Sequence, residues 1–186
     1  EETFVEFPFK FELRVIFTLN GSSLNINYKV NNLSGETMYF SIGSHEGYST
    51  PEGIEDYSII FEKPEVLDST ILNGNLLEYN TINVGENVCE LPLKYEYFEV
   101  DALSFLDIKS KKLSLKNRKT GEERYLEFEN HDVFFVWTKP GADYICLEPW
   151  CGCPDFVDSK YDFKNKRSLI RLSGKEETTR THTITF

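Results

Sequence analysis

Sulfur-containing residues are scarce in this chain of 186 residues, which has one Met and four Cys. So few cysteines do not form the disulfide framework of a small secreted domain, and we expect reduced thiols in a cytoplasmic protein. The chain does not open with a basic region followed by an apolar run, so no secretory signal is predicted. It also lacks any apolar run near the roughly 18 residues of a membrane span, which argues against a membrane as partner.

Positive charge is in short supply as well. Lys and Arg number 20 against 31 Asp and Glu, which gives a formal net charge of −11 and a pI near 4.8. Nucleic-acid phosphates are held by clustered Lys and Arg, so nucleic acid is not an expected partner either. Forty per cent of the residues are apolar and 15% are aromatic, which suffices for a sizeable core. We predict one globular domain over residues 1–186.

Apolar and polar residues alternate with a period of two along much of the chain, as in Leu24–Val30 after the turn signal Asn20-Gly21. No segment has the spacing of an amphipathic helix. The pattern predicts an all-β sandwich or barrel, with polar loops over 62–70 and 151–167. The predicted strands are Phe11–Phe17, Leu24–Val30, Met38–Ile42, Tyr57–Phe61, Leu103–Ile108, Leu113–Lys116, Tyr125–Phe128, Val133–Trp137, Tyr144–Leu147, Ser168–Leu172 and Thr178–Phe186.

One histidine stands out as a candidate for proton transfer. His45 follows a predicted strand and lies between Gly43 and Gly47, which let the backbone bend and a ligand approach closely. Imidazole titrates near neutrality and can donate or accept a proton. The alternative is an ordinary loop histidine with a local hydrogen bond. His131 and His182 lie at or inside predicted strands, where a structural role is expected.

Two carboxylates are further candidates. Glu148 ends an apolar strand next to Trp150, and burial against that ring would disfavour its charged form and raise its basicity. The alternative is a strand-edge carboxylate paired with Arg or Lys. Asp101 opens another predicted strand, although a solvated turn carboxylate is its simpler interpretation. Asp132 and Asp155 are lesser candidates of the same kind.

The sequence gives little indication of a metal or cofactor. Cys89, Cys146, Cys151 and Cys153 lack the paired C-x-x-C spacing of a zinc site, so we expect packing thiols and no metal. No glycine-rich phosphate loop and no G-x-S-x-G motif is present. Nucleotide binding and serine hydrolysis are therefore unsupported.

Two blocks resemble the aldose 1-epimerase (galactose mutarotase) superfamily, and most of all its LacX-like branch. They are the run from Phe40 to His45 and the run from Cys146 to Gly152, together with Asp155. Pro8–Leu13 and Arg171–Gly174 are also similar to that branch, so the resemblance extends from end to end. In one place the chain departs from it, because that branch usually reads Gly-Gly-His-Pro-Ala-Phe where this chain has Gly-Ser-His-Glu-Gly-Tyr, residues 43–48.

The resemblance implies a large antiparallel β-sandwich that interconverts the α and β anomers of a free aldohexose without metal or organic cofactor. By the family's pattern, His45 would be the general acid at the ring oxygen and Glu148 the general base at the anomeric hydroxyl. Asp101 lies roughly where the family carries a carboxylate that binds sugar hydroxyls.

Three other functions remain open. A hexose-6-phosphate epimerase would need basic residues at the pocket, and Arg167 and Arg171 are available. A non-catalytic sugar-binding module would use Tyr48 and Trp150 as aromatic platforms. A glycosidase would use Glu148 with Asp101, and it ranks last.

Members of this family are considerably longer than this chain. The resemblance implies that an N-terminal part, with an Arg that binds the sugar, is absent here, in line with the missing initiator Met. A sandwich without those strands exposes a sheet edge. We therefore expect an oligomer or a separate N-terminal piece, and no catalysis by the shortened chain alone.

Overall fold

A computed structural model describes residues 3–160 and 162–186, which form sixteen β-strands. The first eight are β1 Phe11–Asn20, β2 Ser23–Asn32, β3 Met38–Phe40, β4 Ile42–Gly43, β5 Glu46–Ser49, β6 Tyr57–Glu65, β7 Asp68–Asn73 and β8 Leu76–Asn83. The others are β9 Val88–Pro92, β10 Leu103–Phe105, β11 Lys112–Asn117, β12 Glu123–Glu127, β13 Val133–Trp137, β14 Tyr144–Cys151, β15 Ile170–Leu172 and β16 Glu177–Thr185. Helical turns are α1 Thr3–Glu6 and the 3₁₀ turns Ile54–Asp56, Tyr95–Phe98 and Phe163–Asn165. No described helix exceeds four residues, so none is long and apolar enough to cross a membrane.

Two antiparallel sheets face each other. The larger has seven strands in the order β1-β2-β16-β12-β11-β6-β9. The smaller has the order β10-β13-β14-β4, and β5 also pairs with β14. The short pair β15-β3 and the hairpin β7-β8 complete the set. The all-β sandwich expected from the period-two pattern is confirmed, and the barrel alternative is not observed.

The main core lies between the two sheets. Strand alternation sends every second residue inward, so residues of β6, β11 and β12 meet those of β13 and β14. Fully buried side chains at this interface include Ile59, Leu113, Leu126, Phe134 and Leu147. A second cluster, with Leu77, Leu106 and Phe135, lies between the outer face of the smaller sheet and the hairpin β7-β8.

The strand predictions hold in position, but their ends differ. The predicted strand Met38–Ile42 divides into β3 and β4, and Leu103–Ile108 contains only the short β10. The loop predicted over 62–70 is wrong, because β6 continues to Glu65 and β7 begins at Asp68. Glu62, Lys63 and Asp68 are exposed polar residues of these strands, whereas the polar residues Glu65, Ser69 and Thr70 are buried. A composition pattern does not separate such strands from a polar loop. The loop over 151–167 is largely confirmed, apart from Tyr161, which lies outside the described residues.

Candidate active site

Cross-strand register brings the predicted acid and base together. Trp150 of β14 pairs with Gly43, and Leu147 pairs with Glu46, so the same register runs on both sides of residues 44–45. Continued through this gap in the ladder, the register places His45 directly opposite Glu148. The His45 Nε2 atom lies 3.2 Å from Glu148 Oε1. Two residues that are far apart in the sequence are therefore neighbours on one face of the smaller sheet.

The gap in the ladder has a local cause in Pro149. Ser44 lies opposite Pro149 and donates its N–H to the Pro149 carbonyl at 3.2 Å. Proline has no N–H to return, which would leave the Ser44 carbonyl without its ladder partner. The indole N–H of Trp150 donates to that carbonyl instead, at 2.8 Å. The loop that carries His45 is thus fastened to the strand that carries Glu148.

Two glycines allow the close packing around this loop. A Cβ at Gly43 would overlap the Trp150 ring, and a Cβ at Gly152 would overlap the Cβ of Ser41. Gly152 also has φ of +110°, where side chains other than glycine are strained. Gly47 has ordinary van der Waals room for a Cβ. Of the two glycines that flank His45, only Gly43 is sterically required.

His45 and Glu148 line one pocket of about 370 Å³, within the range of small-molecule sites. The side chain of His45 is 56% exposed at its mouth, whereas that of Glu148 is only 4% exposed. The predicted binding residues Asp101 and Trp150 line the same pocket. Its wall also contains Leu72, Gly74, Asn75, Ala102, Phe135, Trp137 and Pro154.

Burial changes the acidity of Glu148. Removal from water raises its pKa from 4.5 to about 7, and the negative charges of Glu46 and Asp101 act in the same direction. The nearby indole N–H of Trp150 opposes the shift. The basicity predicted from the sequence therefore arises mainly from burial, and the carboxyl titrates in the range where imidazole groups generally titrate.

A second carboxylate–histidine pair lies on the opposite face of the same loop. Glu46 is directed between the sheets, where its Oε1 lies 3.2 Å from Nε2 of the fully buried His182. Burial alone would raise the pKa of Glu46, but the hydrogen bond with His182 and the charge of His182 hold it below its usual value. His131 is buried too, and its Nδ1 lies 3.0 Å from the Glu129 carbonyl. The structural role expected for His131 and His182 agrees with this placement.

Tyr48 is not where the sequence suggested. Its ring packs in the main core and is only 4% exposed, and it does not line the pocket. On β5, Tyr48 pairs with the core residue Ile145, so strand alternation directs it inward. The expectation that Tyr48 forms a sugar platform is therefore corrected. Trp137 and Phe135 were missed, although they alternate with core residues along the predicted strand over 133–137.

Three side chains of the kinds that bind metal ions also lie close together at this site. His45, Cys146 and Glu148 bring ligand atoms within 4.8 Å of one another. Burial, together with the charges of Glu148 and Glu46, raises the pKa of the Cys146 thiol to about 11. Such a thiol keeps its proton near neutrality, whereas metal binding needs the thiolate. A cation bound here would therefore have to displace the Cys146 proton, whereas proton transfer between His45 and Glu148 does not involve this thiol.

The candidate basic residues lie elsewhere. Arg167 pairs with Asp107 at 2.8 Å beside a larger cavity of about 620 Å³, which contains neither His45 nor Glu148. Arg171 lies over the ring of Tyr39. Among residues 3–160 and 162–186, no Lys or Arg lines the pocket of His45. All four cysteines are free, and only Cys89 is exposed.

Comparisons with known proteins place the chain among relatives of one family. A family model described as aldose 1-epimerase matches residues 1–184. The chromosomal protein LacX of Lactococcus lactis is 30% identical over 187 residues, which cover 96% of this chain and 62% of LacX. A galactose mutarotase related enzyme from Lactobacillus acidophilus superposes with a TM-score of 0.91 at 27% identity, over 100% of this chain and 64% of that one. A galactose mutarotase-like protein from Lactobacillus casei, at 20% identity, shares the fold with a TM-score of 0.89 over 99% of this chain and 66% of that one. The chain thus spans less than two thirds of the length of these relatives.

Proposed function

The chain belongs to the aldose 1-epimerase family, and on this premise we propose that the pocket of His45 and Glu148 interconverts the α and β anomers of an aldohexose. The family and its mutarotase-like neighbours support a sugar epimerase-like function. One observation supports the specific proposal that the pocket interconverts anomers. An exposed imidazole and a buried carboxylate lie 3.2 Å apart in a pocket of monosaccharide size.

The reaction needs one acid and one base. Glu148, as carboxylate, takes the proton of the anomeric hydroxyl while His45, as imidazolium, gives a proton to the ring oxygen. The bond between C1 and the ring oxygen breaks, and C1 becomes an aldehyde. Rotation about C1–C2 presents the other face, and closure returns both protons to their original positions. The protein is unchanged at the end, and no redox partner takes part.

Substrate entry has to separate the two side chains, because a sugar carbon lies between the acid and the base during the reaction. His45 is the group that moves, since its side chain is half exposed on a two-residue gap in the ladder. Glu148 is held inside β14 and stays in place. The aromatic rings of Trp137 and Trp150 offer apolar surfaces for the sugar ring.

The charge of the pocket favours a neutral sugar over a sugar phosphate. Glu148 and Asp101 both line it, and among the described residues no Lys or Arg accompanies them. A phosphate group would meet two carboxylates, and the one cation beside them, the His45 imidazolium, is needed for proton transfer. We therefore propose a free aldohexose as the substrate class.

The test is the equilibration of freshly dissolved α-glucose and α-galactose, followed by polarimetry. Because the relatives are longer, the chain is assayed alone and together with the part of LacX that lies outside the matched residues. We expect acceleration in the complemented form, with a rate that falls about tenfold per pH unit below pH 7 as Glu148 is protonated. Glu148→Gln and His45→Asn should abolish the acceleration.

Glu127→Gln is the matched control, because Glu127 is an exposed residue of β12 whose ion pair with Lys112 lies far from the pocket lining. It should retain the full rate. If the protein binds sugar, seen as perturbed ligand NMR signals, but leaves the spontaneous rate unchanged in both forms, the site is a binding module and the proposal is wrong.

A further inference from the structure

Cys146 is a buried thiol that the proposed proton transfer does not use. It lies on β14 two residues before Glu148, and side chains two residues apart on a strand point to the same face of a sheet. The register pairs Cys146 with Trp137, which lines the pocket, and with Gly47 on the other side. The thiol is therefore a neighbour of Glu148 on the pocket face of the smaller sheet.

His45 completes a group of three metal-binding side chains. Its position opposite Glu148 sets it diagonally across from Cys146 on the neighbouring strand. One ligand atom from each of the three side chains lies within 4.8 Å of the other two. A tetrahedral cation with bonds of about 2.0–2.3 Å holds its ligand atoms about 3–4 Å apart. Rotation of the half-exposed His45 side chain closes the remaining distance.

The types of ligand atom select the class of cation. A thiolate sulfur and an imidazole nitrogen suit Zn²⁺ and similar ions, whereas Mg²⁺ and Ca²⁺ are held by oxygen ligands. Cys146 and Glu148 are both buried, so little water competes with them for a bound cation. Two fixed ligands on β14 and one adjustable ligand at the pocket mouth allow a cation to enter from solvent.

The charge around the three side chains is negative, which favours a cation. Asp101 lines the same pocket, and no Lys or Arg lines it within the part of the chain that the structure describes. Burial and the charges of Glu148 and Glu46 disfavour the bare thiolate of Cys146, so the thiol keeps its proton until a cation compensates the charge. On binding, the cation accepts a lone pair from each of the three ligand atoms, and the thiol proton passes to solvent.

We propose that His45, Cys146 and Glu148 form a binding site for a thiophilic divalent cation, represented by Zn²⁺. The three protein ligands leave the fourth tetrahedral position to a water molecule from the pocket. One consequence rests on the proposed function. The cation occupies the nitrogen and oxygen atoms that exchange protons with the sugar, so it inhibits anomer interconversion and acts as a reversible inhibitor, not as a cofactor.

The test is a titration of the full chain, without sugar, with Co²⁺ as a spectroscopic substitute for Zn²⁺. We expect one Co²⁺ per chain, with the visible absorption of tetrahedral Co²⁺ and a near-ultraviolet charge-transfer band from thiolate to cobalt. Zn²⁺ should remove both signals by displacement, whereas excess Mg²⁺ should leave them unchanged. Cys146→Ser should remove the charge-transfer band and weaken Zn²⁺ binding at least about tenfold, since even residues outside a ligand set contribute that much.

Cys89→Ser is the matched control, because Cys89 is the exposed cysteine and offers Co²⁺ a surface thiol. It should leave the spectrum unchanged. His45→Asn tests the site at a half-exposed side chain, where the fold does not depend on the residue as it does at the buried Cys146. It should also weaken Zn²⁺ binding at least about tenfold.

The proposal is overturned if Co²⁺ does not bind, if it binds without the charge-transfer band, if Mg²⁺ displaces it, or if Cys89→Ser removes the band. Inhibition is measured separately, by polarimetry of the complemented form with and without Zn²⁺. Acceleration that persists with Zn²⁺ bound would contradict the inhibition. If Co²⁺ binds as expected but no form accelerates equilibration, the metal site stands and the proposed function fails.

Discussion

Two buried carboxylates show that burial alone does not decide what a residue does. Glu148 is removed from water with negative neighbours, and its pKa rises to about 7. Glu65 is equally buried, but its carboxylate accepts hydrogen bonds from the Ser110 N–H and hydroxyl at 2.6 and 2.7 Å. The first carboxylate is available for proton transfer, whereas the second holds the turn before β11 in place.

Glu148→Gln should therefore stabilise the protein at alkaline pH while it removes the proposed catalytic base. The folded state binds the Glu148 proton more tightly than the unfolded state, so this carboxylate destabilises the fold increasingly as the pH rises from 4.5 to 7. The substitution should raise the free energy of unfolding by up to about 3 kcal/mol at pH 8 and by almost nothing below pH 4.5. Urea unfolding of both proteins at pH 4 and pH 8 measures the difference.

Glu65→Gln is the comparison that separates the effect of a carboxylate's charge on the free energy of unfolding from the effect of its burial. It weakens hydrogen bonds that a charged acceptor strengthens, so it should lower the free energy of unfolding at pH 8 by about 1.5–3 kcal/mol. A destabilised Glu148→Gln protein at pH 8 would show that Glu148 is stabilised by its contact with His45 rather than strained by burial.

At the scale of elements, β14 organises the site. It lies between β13 and the pair β4 and β5, and it carries Glu148 and Trp150 on its pocket face. Pro149 interrupts its ladder with Ser44, and the Trp150 indole supplies the missing donor. The position of His45 thus depends on a hydrogen bond from a side chain where a sheet normally provides one from the backbone.

Trp150→Phe keeps an aromatic ring against Phe135 but removes the donor to the Ser44 carbonyl. We expect a loss of about 1 kcal/mol in the free energy of unfolding and faster hydrogen exchange around residue 44. Adding Pro149→Ala restores a backbone N–H opposite Ser44. The double variant should therefore regain part of the lost stability and protection. If Pro149→Ala brings no recovery in the Trp150→Phe background, the indole does not replace the ladder donor.

At the scale of the whole molecule, charge and exposed apolar surface act against each other. A net charge of −11 keeps chains apart near neutrality. The inner face of β1, which carries the exposed residues Leu13, Val15, Phe17 and Leu19, favours association whenever that repulsion weakens. The sequence pI is near 4.8, so the repulsion should vanish close to pH 5.

We expect the chain alone to form large particles near pH 5 and to remain dispersed at pH 8, as measured by dynamic light scattering. Phe17→Lys with Leu19→Lys should suppress the particles at pH 5. Thr18→Lys with Asn20→Lys adds the same charge to the outer face and should suppress them much less. Equal suppression by both pairs would assign the association to charge and not to the apolar face of β1.

The sequence predicts those turns and strands whose structure depends on residues that are close together in the chain. The turn after Asn20 and the strands Leu24–Val30 and Val133–Trp137 follow from local alternation and turn residues. Tyr48 was misplaced because no strand was predicted over residues 46–49. β5 continues the alternation from His45, so Tyr48 is directed to the other face, opposite Ile145. The wall formed by Leu72 and Asn75 was missed because nothing local shows that β7 and β8 fold back over the smaller sheet.

The sequence by itself determined the all-β class, the acidic surface and the two residue types suited to proton transfer, because these depend on composition and local alternation. Only the tertiary structure decided that His45 faces Glu148, that Arg167 lies away from them, and that the described residues leave the side chains on the inner face of β1 41–73% exposed. Such facts depend on register and on the order of strands in a sheet. Both are set by contacts between segments distant in the chain, and no local pattern carries that information.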